Sequence, residues 1–284
     1  MVIHAAAKTD TGCCRDKNED AFFVDSENGL YIICDGLGGH LAGEIASQKA
    51  IEYTVEFLTK AREQRILPRK KEVDFREVWG QLVVEAIESC CDEVIRFAES
   101  HPDLTGMAST ITVVQFVEGV AFVGYLGDSR LYLKHADVAK QLTLDHTLFE
   151  EFSRTNPNWL ELNHDKAALK RFKHILTRCV GRERDFEVDS FCFQLAEGDV
   201  LLLCTDGLSN YFLDEETIVS LLNESDSDTA AKSLIDFANT SGGRDNITAV
   251  VVRVVRLDEP EYCDFIIARD QQTGSEATQE WRVN

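Results

Sequence analysis

Residues 30–37 read LYIICDGL: a five-residue apolar run, Leu30–Cys34, that stops abruptly at Asp35-Gly36. A strand with one wet face alternates polar and apolar residues, whereas a run without alternation is a strand covered on both faces. Residues 200–207 repeat the arrangement, with VLLLC (Val200–Cys204) ending in Thr205-Asp206-Gly207. Val120–Leu126 leads into Gly127-Asp128-Ser129-Arg130, and Gly242-Gly243-Arg244-Asp245-Asn246 immediately precedes the apolar ITAVVV. A carboxylate at the end of a core strand is costly to desolvate unless a cation or several donors accompany it. One Asp-Gly is a turn; four such sites argue that the strands are neighbours and that their acids meet at one rim. All-oxygen donors select hard cations, so Mg2+ or Mn2+ fits better than Zn2+. No EF-hand spacing of acids around a glycine appears, which disfavours calcium.

The same alternation of short runs and turn residues continues outward from these segments. Ala21–Val24, Ser109–Val117, Leu131–Lys134, Val188–Phe193 and Ile247–Val255 read as strands separated by Gly, Asp and Asn. Two long amphipathic helices lie between the early strands. In residues 42–62, Ile45, Ile51, Val55 and Leu58 mark one face. In residues 72–100 the face is Phe75, Val78, Leu82, Ala86, Cys90, Val94 and Ala98. A further helical pair, near Asp214–Leu222 and Thr229–Asn239, precedes the last long strand. Helices grouped between sets of hairpin-like strands predict an α+β fold, not a βαβ alternation. A single domain over residues 1–257 accounts for the pattern. Residues 146–178 form a surface insertion of mixed charge, and 258–284 a polar C-terminal tail.

The 284-residue chain carries 29 basic and 50 acidic side chains, net −21. That excess disfavours nonspecific nucleic-acid binding, which needs Lys and Arg against phosphate. No apolar run approaches the roughly 18–20 residues of a membrane span, and the start, MVIHAAAKTD, lacks the pattern of a secretory signal. The nine cysteines include the adjacent pairs Cys13/Cys14 and Cys90/Cys91 but no CxxC. They read as small hydrophobes in a reducing, cytoplasmic setting.

Two segments beside the acids carry further signals. Asp35-Gly36-Leu37-Gly38-Gly39-His40 is a glycine-rich turn entering the first helix, but it lacks the Lys-Ser/Thr of a nucleotide-binding loop. In Gly12-Cys13-Cys14-Arg15-Asp16-Lys17-Asn18-Glu19-Asp20, Arg15 precedes two acids that start a strand. Arg15 either neutralises those acids or grips an anionic substrate, and this segment alone supports both roles.

Taken together, GCCRDKNEDAF, DGLGGHLAGEIAS, GMASTITVV, GYLGDSRLYL, LTLDHT, ILTRCVG, LLLCTDGLSN and GGRDNITAVVV, in that order from Gly12 to Val252, resemble the metal-dependent protein phosphatase family. The likeness is to the protein phosphatase 2C type in its bacterial form. The resemblance implies a four-layer α-β-β-α sandwich, two antiparallel sheets flanked by helices, with a metal cleft at one end. It implies that Asp35 bridges two ions, that the Gly36 carbonyl binds one of them, and that Asp206 and Asp245 complete the set. Asp128 matches the acid that holds a third, looser ion. Glu19 and Asp20 match acids that orient metal-bound waters, and Arg15 matches the residue that grips the substrate phosphate. Leu37 stands where Met is usual, Thr205 where Ser is common, and Met107-Ala108-Ser109-Thr110 replaces a Gly-Thr-Thr core. Leu37 also occupies the place of the catalytic histidine of animal members, which leaves the general acid open; His40 is the nearby candidate, against a role as a helix contact.

The reaction so implied is hydrolysis of phosphoserine and phosphothreonine in proteins, the products of a cognate kinase, by a water bridging two Mg2+ or Mn2+ ions. Residues 146–178 correspond to the family's variable flap, and Lys166, Lys170, Arg171, Lys173, His174 and Arg178 give it a basic cluster that reads equally as an attractor of the phosphoprotein or as a solvated helix face. The alternatives are a catalytically weak adaptor of the same fold, which the intact Asp35, Asp206 and Asp245 argue against, and a metal-dependent nuclease, which the charge disfavours.

Overall fold

Along the decisive run, Leu30, Ile32 and Cys34 pack to one side with two long helices, while Tyr31 and Ile33 pack to the other against a second sheet. Both faces are covered, which is why the segment has no polar alternation. The computed structural model describes residues 1–38, 42–65, 67–72, 74–156, 169, 171–182, 187–212, 214–258, 266–269 and 276–279.

The strands are β1 (Val2–Asp10), β2 (Asp20–Asp25), β3 (Leu30–Leu37), β4 (Ala108–Ser109), β5 (Ile111–Val117), β6 (Val120–Leu126), β7 (Arg130–His135), β8 (Val138–Gln141), β9 (Asp189–Gln194), β10 (Val200–Cys204), β11 (Ile247–Arg256), β12 (Ile266–Arg269) and β13 (Glu276–Gln279). The smaller sheet runs β1-β11-β10-β7-β8, and the larger runs β13-β12-β9-β6-β5-β3-β2 with β4 beside β3. All the strand pairings are antiparallel.

The helices α1 (Ala42–Gln64) and α2 (Phe75–Ser100) cover the outer face of the larger sheet. The short helices α3 (Leu148–Thr155) and α4 (Asp206–Ser209) border the mouth of the cleft described below. The pair α5 (Glu215–Leu222) and α6 (Ser227–Thr240) covers the outer face of the smaller sheet. Between the sheets, Tyr31, Val114, Val123, Leu201, Leu203, Val250 and Val252 form the inner core. On β10, Leu201 and Leu203 face inward while Val200, Leu202 and Cys204 meet the α5/α6 layer. The second unalternating run thus has the same cause as the first. The expected four layers are present, and no described helix is long and apolar enough to cross a membrane.

Three details differ from the sequence reading. The buried stripe of α1 is Ala42, Ala46, Ala50, Thr54, Leu58 and Ala61, every third or fourth residue, while Ile45, Ile51 and Val55 are only partly buried. Small side chains let the helix approach β3 closely, and the larger apolar ones seal its flanks. The β1 strand was not expected, because AAA has weak strand propensity, yet it pairs with β11 along its length. Within the tail, β12 pairs with β9 and with β13; the short FIIA run in residues 265–268 is the strand signal that the surrounding acids concealed.

Candidate metal centre

On β3 the side chain of Asp35 continues the inward row of Tyr31 and Ile33, so it lies where the space between the sheets opens. Asp20 is its cross-strand partner on β2. Asp206 follows β10 at the first position of α4, and Asp245 lies two residues before β11. Asp128 sits in the turn between β6 and β7, 9% exposed. The four strand-end acids seen in the sequence therefore converge at one end of the sandwich, drawn from both sheets.

Electrostatics register the convergence. Burial pushes the Asp35 carboxyl well above the ordinary carboxylate range, and repulsion from Asp20, Asp206, Asp128 and Asp245 adds to it. Burial raises Asp128 from 3.8 to about 8, with Asp206 and Asp145 adding to the shift and Arg130 opposing it. Asp20 is raised to about 7, mainly by burial, against hydrogen bonds from Thr248 and Thr205 that favour its ionised form. These are like charges held close, only partly offset by Arg130 beside Asp128 and Arg15 beside Asp245.

The scaffold fixes the backbones that carry them. The Asp35 amide donates to Thr110 Oγ1 at 2.8 Å, and that hydroxyl lies 2.7 Å from Ser129 Oγ, next to Asp128. Thr205 Oγ1 and Thr248 Oγ1 donate to Asp20 Oδ2 at 2.9 and 2.6 Å, tying the larger sheet to the smaller. Thr205, noted in the sequence as a departure from Ser, supplies the hydroxyl that either residue would. The Asn246 side chain accepts from the Glu19 amide at 2.8 Å and donates to Thr11 and Lys17 carbonyls at 3.0 and 2.8 Å. It holds the whole 11–19 loop beside Asp245. Thr248 and Asn246 were not singled out from the sequence, although the Asp-Asn-Ile-Thr run contains both. Gly36 is squeezed between Glu19 and α1: an added Cβ would lie 2.1 Å from the Gly43 carbonyl oxygen. Glu19 packs against Gly43 at the first turn of α1; burial raises its carboxyl, and Arg15 opposes the rise.

Arg15 Nη2 donates to Asp245 Oδ2 at 2.7 Å, and the guanidinium remains about half exposed. The structure thus shows the first of the two roles left open by the sequence, neutralisation of an acid of the rim, and leaves the other flank of the guanidinium exposed. The expected pairing with Glu19 or Asp20 gives way to one with Asp245. His40 lies outside the described residues.

A cleft of about 190 Å3 extends from Asp128 and Asp206 past Arg130, Asp145, Phe149 and Lys173. Its far wall is formed by Thr147, Phe149, Glu150 and Lys173. Lys173 stands over the Phe149 ring, 4.8 Å from its centroid, and His174 Nδ1 is 3.6 Å from Asp206 Oδ2. Arg178, expected in the basic cluster, instead pairs with partly buried Asp189 and donates to the Glu187 carbonyl. Lys166 and Lys170 lie outside the described residues.

The donor set fits a hard divalent cation. It consists of carboxylates, and Asp20 Oδ1 is buried with no hydrogen-bond partner among the described residues, an unmet acceptor of the kind a cation or its water satisfies. The acids share an opening without forming a closed cage of three or more ligands among the described residues.

Comparison with known proteins identifies the family to which this fold belongs. The family model for protein phosphatase 2C matches residues 13–237. The serine/threonine phosphatase stp of Listeria innocua is 35% identical over 254 residues, 88% of this chain and 95% of that protein. The crystal structure of Stp1 from Staphylococcus aureus superposes with a TM-score of 0.73 at 28% identity, covering 90% of this chain and 96% of that one. The catalytic domain of the phosphatase PstP, solved with two manganese ions, gives 0.72 at 30% identity, covering 89% and 99%. An acid-rimmed mouth on a four-layer sandwich, matched in sequence over most of its length, has one reading: the chain belongs to the protein phosphatase 2C family.

Proposed function

We propose that this protein hydrolyses phosphoserine and phosphothreonine in phosphoproteins and depends on Mg2+ or Mn2+ for doing so. The observation that carries the reading is the convergence of Asp35, Asp206, Asp245 and Asp128 on one mouth, each from a different strand end. Asp35, the Gly36 carbonyl, Asp206 and Asp245 would hold two ions, and Asp128 a third. When bound, such ions supply Lewis acidity, which makes a water nucleophilic near neutral pH and neutralises charge on the phosphoryl group.

The remaining work belongs to side chains. Arg15 binds the phosphate through the exposed flank of its guanidinium, with Asp245 setting its orientation by the 2.7 Å bond. Glu19 and Asp20 orient water at the mouth as hydrogen-bond acceptors, Asp20 through its unpartnered Oδ1. The Thr205 and Thr248 hydroxyls lock the other Asp20 oxygen, so that the free one cannot turn away. Arg171 and Lys173, on the described part of the flap, attract the phosphoprotein surface; His40 is retained as a candidate donor to the leaving alkoxide. The substrates come from a serine/threonine kinase of the same compartment, the cytoplasm. Buried thiols at Cys34, Cys90, Cys91 and Cys204 suit a reducing milieu.

The test is phosphopeptide hydrolysis by the purified protein with Mn2+, with and without EDTA, beside Asp206→Asn. Activity should vanish with the chelator and fall by orders of magnitude in the variant. Turnover that persists in either condition refutes the mechanism, and tight phosphopeptide binding without turnover supports the adaptor reading.

A further inference from the structure

Gly127, which delivers Asp128 to the mouth, has φ +107°, and an added Cβ would lie 2.6 Å from Thr110 Cγ2. Only glycine suits that backbone, yet glycine supplies no stiffness of its own, so the position of Asp128 must be imposed from outside. The anchor is His146, 2% exposed and 19 residues further along the chain. The Gly127 amide donates to His146 Nδ1 at 3.1 Å, and the His146 amide donates back to the Gly127 carbonyl at 3.0 Å. The imidazole is itself clamped. Tyr125 stacks on it with centroids 5.0 Å apart and planes 19° from parallel. Its Nε2 lies 3.3 Å from Asp189 Oδ2, a carboxylate also approached by Tyr125 Oη and held by Arg178.

We infer that His146 is a positioning residue for Asp128: its unprotonated Nδ1 holds the Gly127 amide and thereby sets where the Asp128 carboxylate enters the cation site. This rests on the reading of Asp128 as a cation ligand. The tautomer follows from the partners. Nδ1 accepts a backbone N–H, so the proton sits on Nε2, facing Asp189. Burial lowers the imidazole's pKa and keeps the ring neutral. An imidazole with a carboxylate facing its far nitrogen is a common way to orient the groups around a metal; here Asp189 stands 3.3 Å from Nε2, and the ring acts one peptide unit removed from the ligand itself.

The experiment uses the full chain stripped with EDTA and titrated with Mn2+ by calorimetry, comparing wild type with Asp128→Asn, His146→Leu and His146→Asn. Asn places Oδ1 near the position of Nδ1 and keeps the acceptor; Leu fills the space without it. Asp128→Asn should abolish the weakest binding event. His146→Leu should weaken that event by about tenfold or more while leaving the tighter ones unchanged, and His146→Asn should restore it to within about threefold. In parallel, nitrogen NMR of the wild-type imidazole should show a neutral ring with its proton on Nε2.

Equal loss of all binding events in a folded His146→Leu protein, no loss at all, or failure of Asn to rescue would each overturn the inference, as would a proton on Nδ1. A wild type that binds no Mn2+ would instead overturn the reading of the metal centre, and this inference with it. If His146→Leu does not fold, the Asn variant and the wild-type tautomer still decide, since a weakened third site in Asn or the wrong tautomer refutes the anchor.

Discussion

Replacing Asp128 with Asn in metal-free protein should make the fold more stable, and by an amount that depends on pH. Asp128 is 9% exposed, and burial with repulsion from Asp206 and Asp145 raises its carboxyl from 3.8 to about 8. A folded-state pKa above the unfolded one contributes stability that is fully present below pH 3.8 and lost as pH rises through 8. At pH 7 the fold must keep this carboxyl protonated where the unfolded chain would ionise it, a difference of about 4 kcal/mol at 1.36 kcal/mol per unit. At pH 5 the same reckoning leaves about 2 kcal/mol. Asn is the same size and carries no charge, so it removes the loss. At about 2 °C per kcal/mol for a chain of this size, the EDTA-treated variant should melt about 8 °C above wild type at pH 7 and about 4 °C above it at pH 5. Saturating Mn2+ should narrow or reverse the gap, because wild type gains more from the ion. Thermal unfolding followed by circular dichroism at the two pH values tests this. A metal-free variant no more stable than wild type, or a gap that fails to shrink on acidification, would refute the claim that Asp128 belongs to a crowded acid cluster.

Gly36→Ala should yield protein without phosphatase activity and with a lowered melting temperature, because the new Cβ would lie 2.1 Å from the Gly43 carbonyl oxygen; a fully active, equally stable variant would contradict the tight approach of β3 to α1. Burial opposes the ionisation of Asp189, but hydrogen bonds from His146 and Arg178 outweigh it and hold the carboxyl below its usual range. Asp189→Asn should therefore cost about 3 kcal/mol at neutral pH, as breaking a buried pair does. That difference from wild type should be present above about pH 4 and fade as pH falls further, which urea titrations at pH 7 and pH 2 would reveal. Charge reversal at Arg171 and Lys173 should raise KM for a phosphoprotein several-fold more than for para-nitrophenyl phosphate; equal effects would remove the flap from substrate attraction.

The features legible in the sequence were those set by burial on two faces or by desolvation of charge. LYIIC and VLLLC gave away strands enclosed between a helix layer and a second sheet, and an acid at the end of each marked the rim. The rest depended on contacts between distant segments, which no local pattern encodes. Arg15 bonds to Asp245, 230 positions away, and Thr248 reaches Asp20 across 228. The α1 face was misread because its closest contacts are alanines, which hydrophobic periodicity undervalues. Arg178 was assigned to the basic flap because sequence displays charge but not the partly buried partner, Asp189, that consumes it.

The two sheets give the centre its electrostatic character. Had all the acids come from one sheet, their mutual repulsion could relax by fraying a single edge. Here Asp35 and Asp20 belong to the larger sheet, Asp206 and Asp245 flank strands of the smaller one, and Asp128 lies in the turn from β6 to β7 that joins the two, so relaxation would require the sandwich to open. The inner core of Tyr31, Leu201, Val250 and their neighbours resists that opening, as do the Thr205 and Thr248 hydroxyls bonded to Asp20. Apolar packing between the layers therefore holds the carboxylates together against their charge, and the strain becomes affinity for any divalent cation that enters. By this argument, mutations that loosen the inner core should weaken cation binding before they unfold the chain.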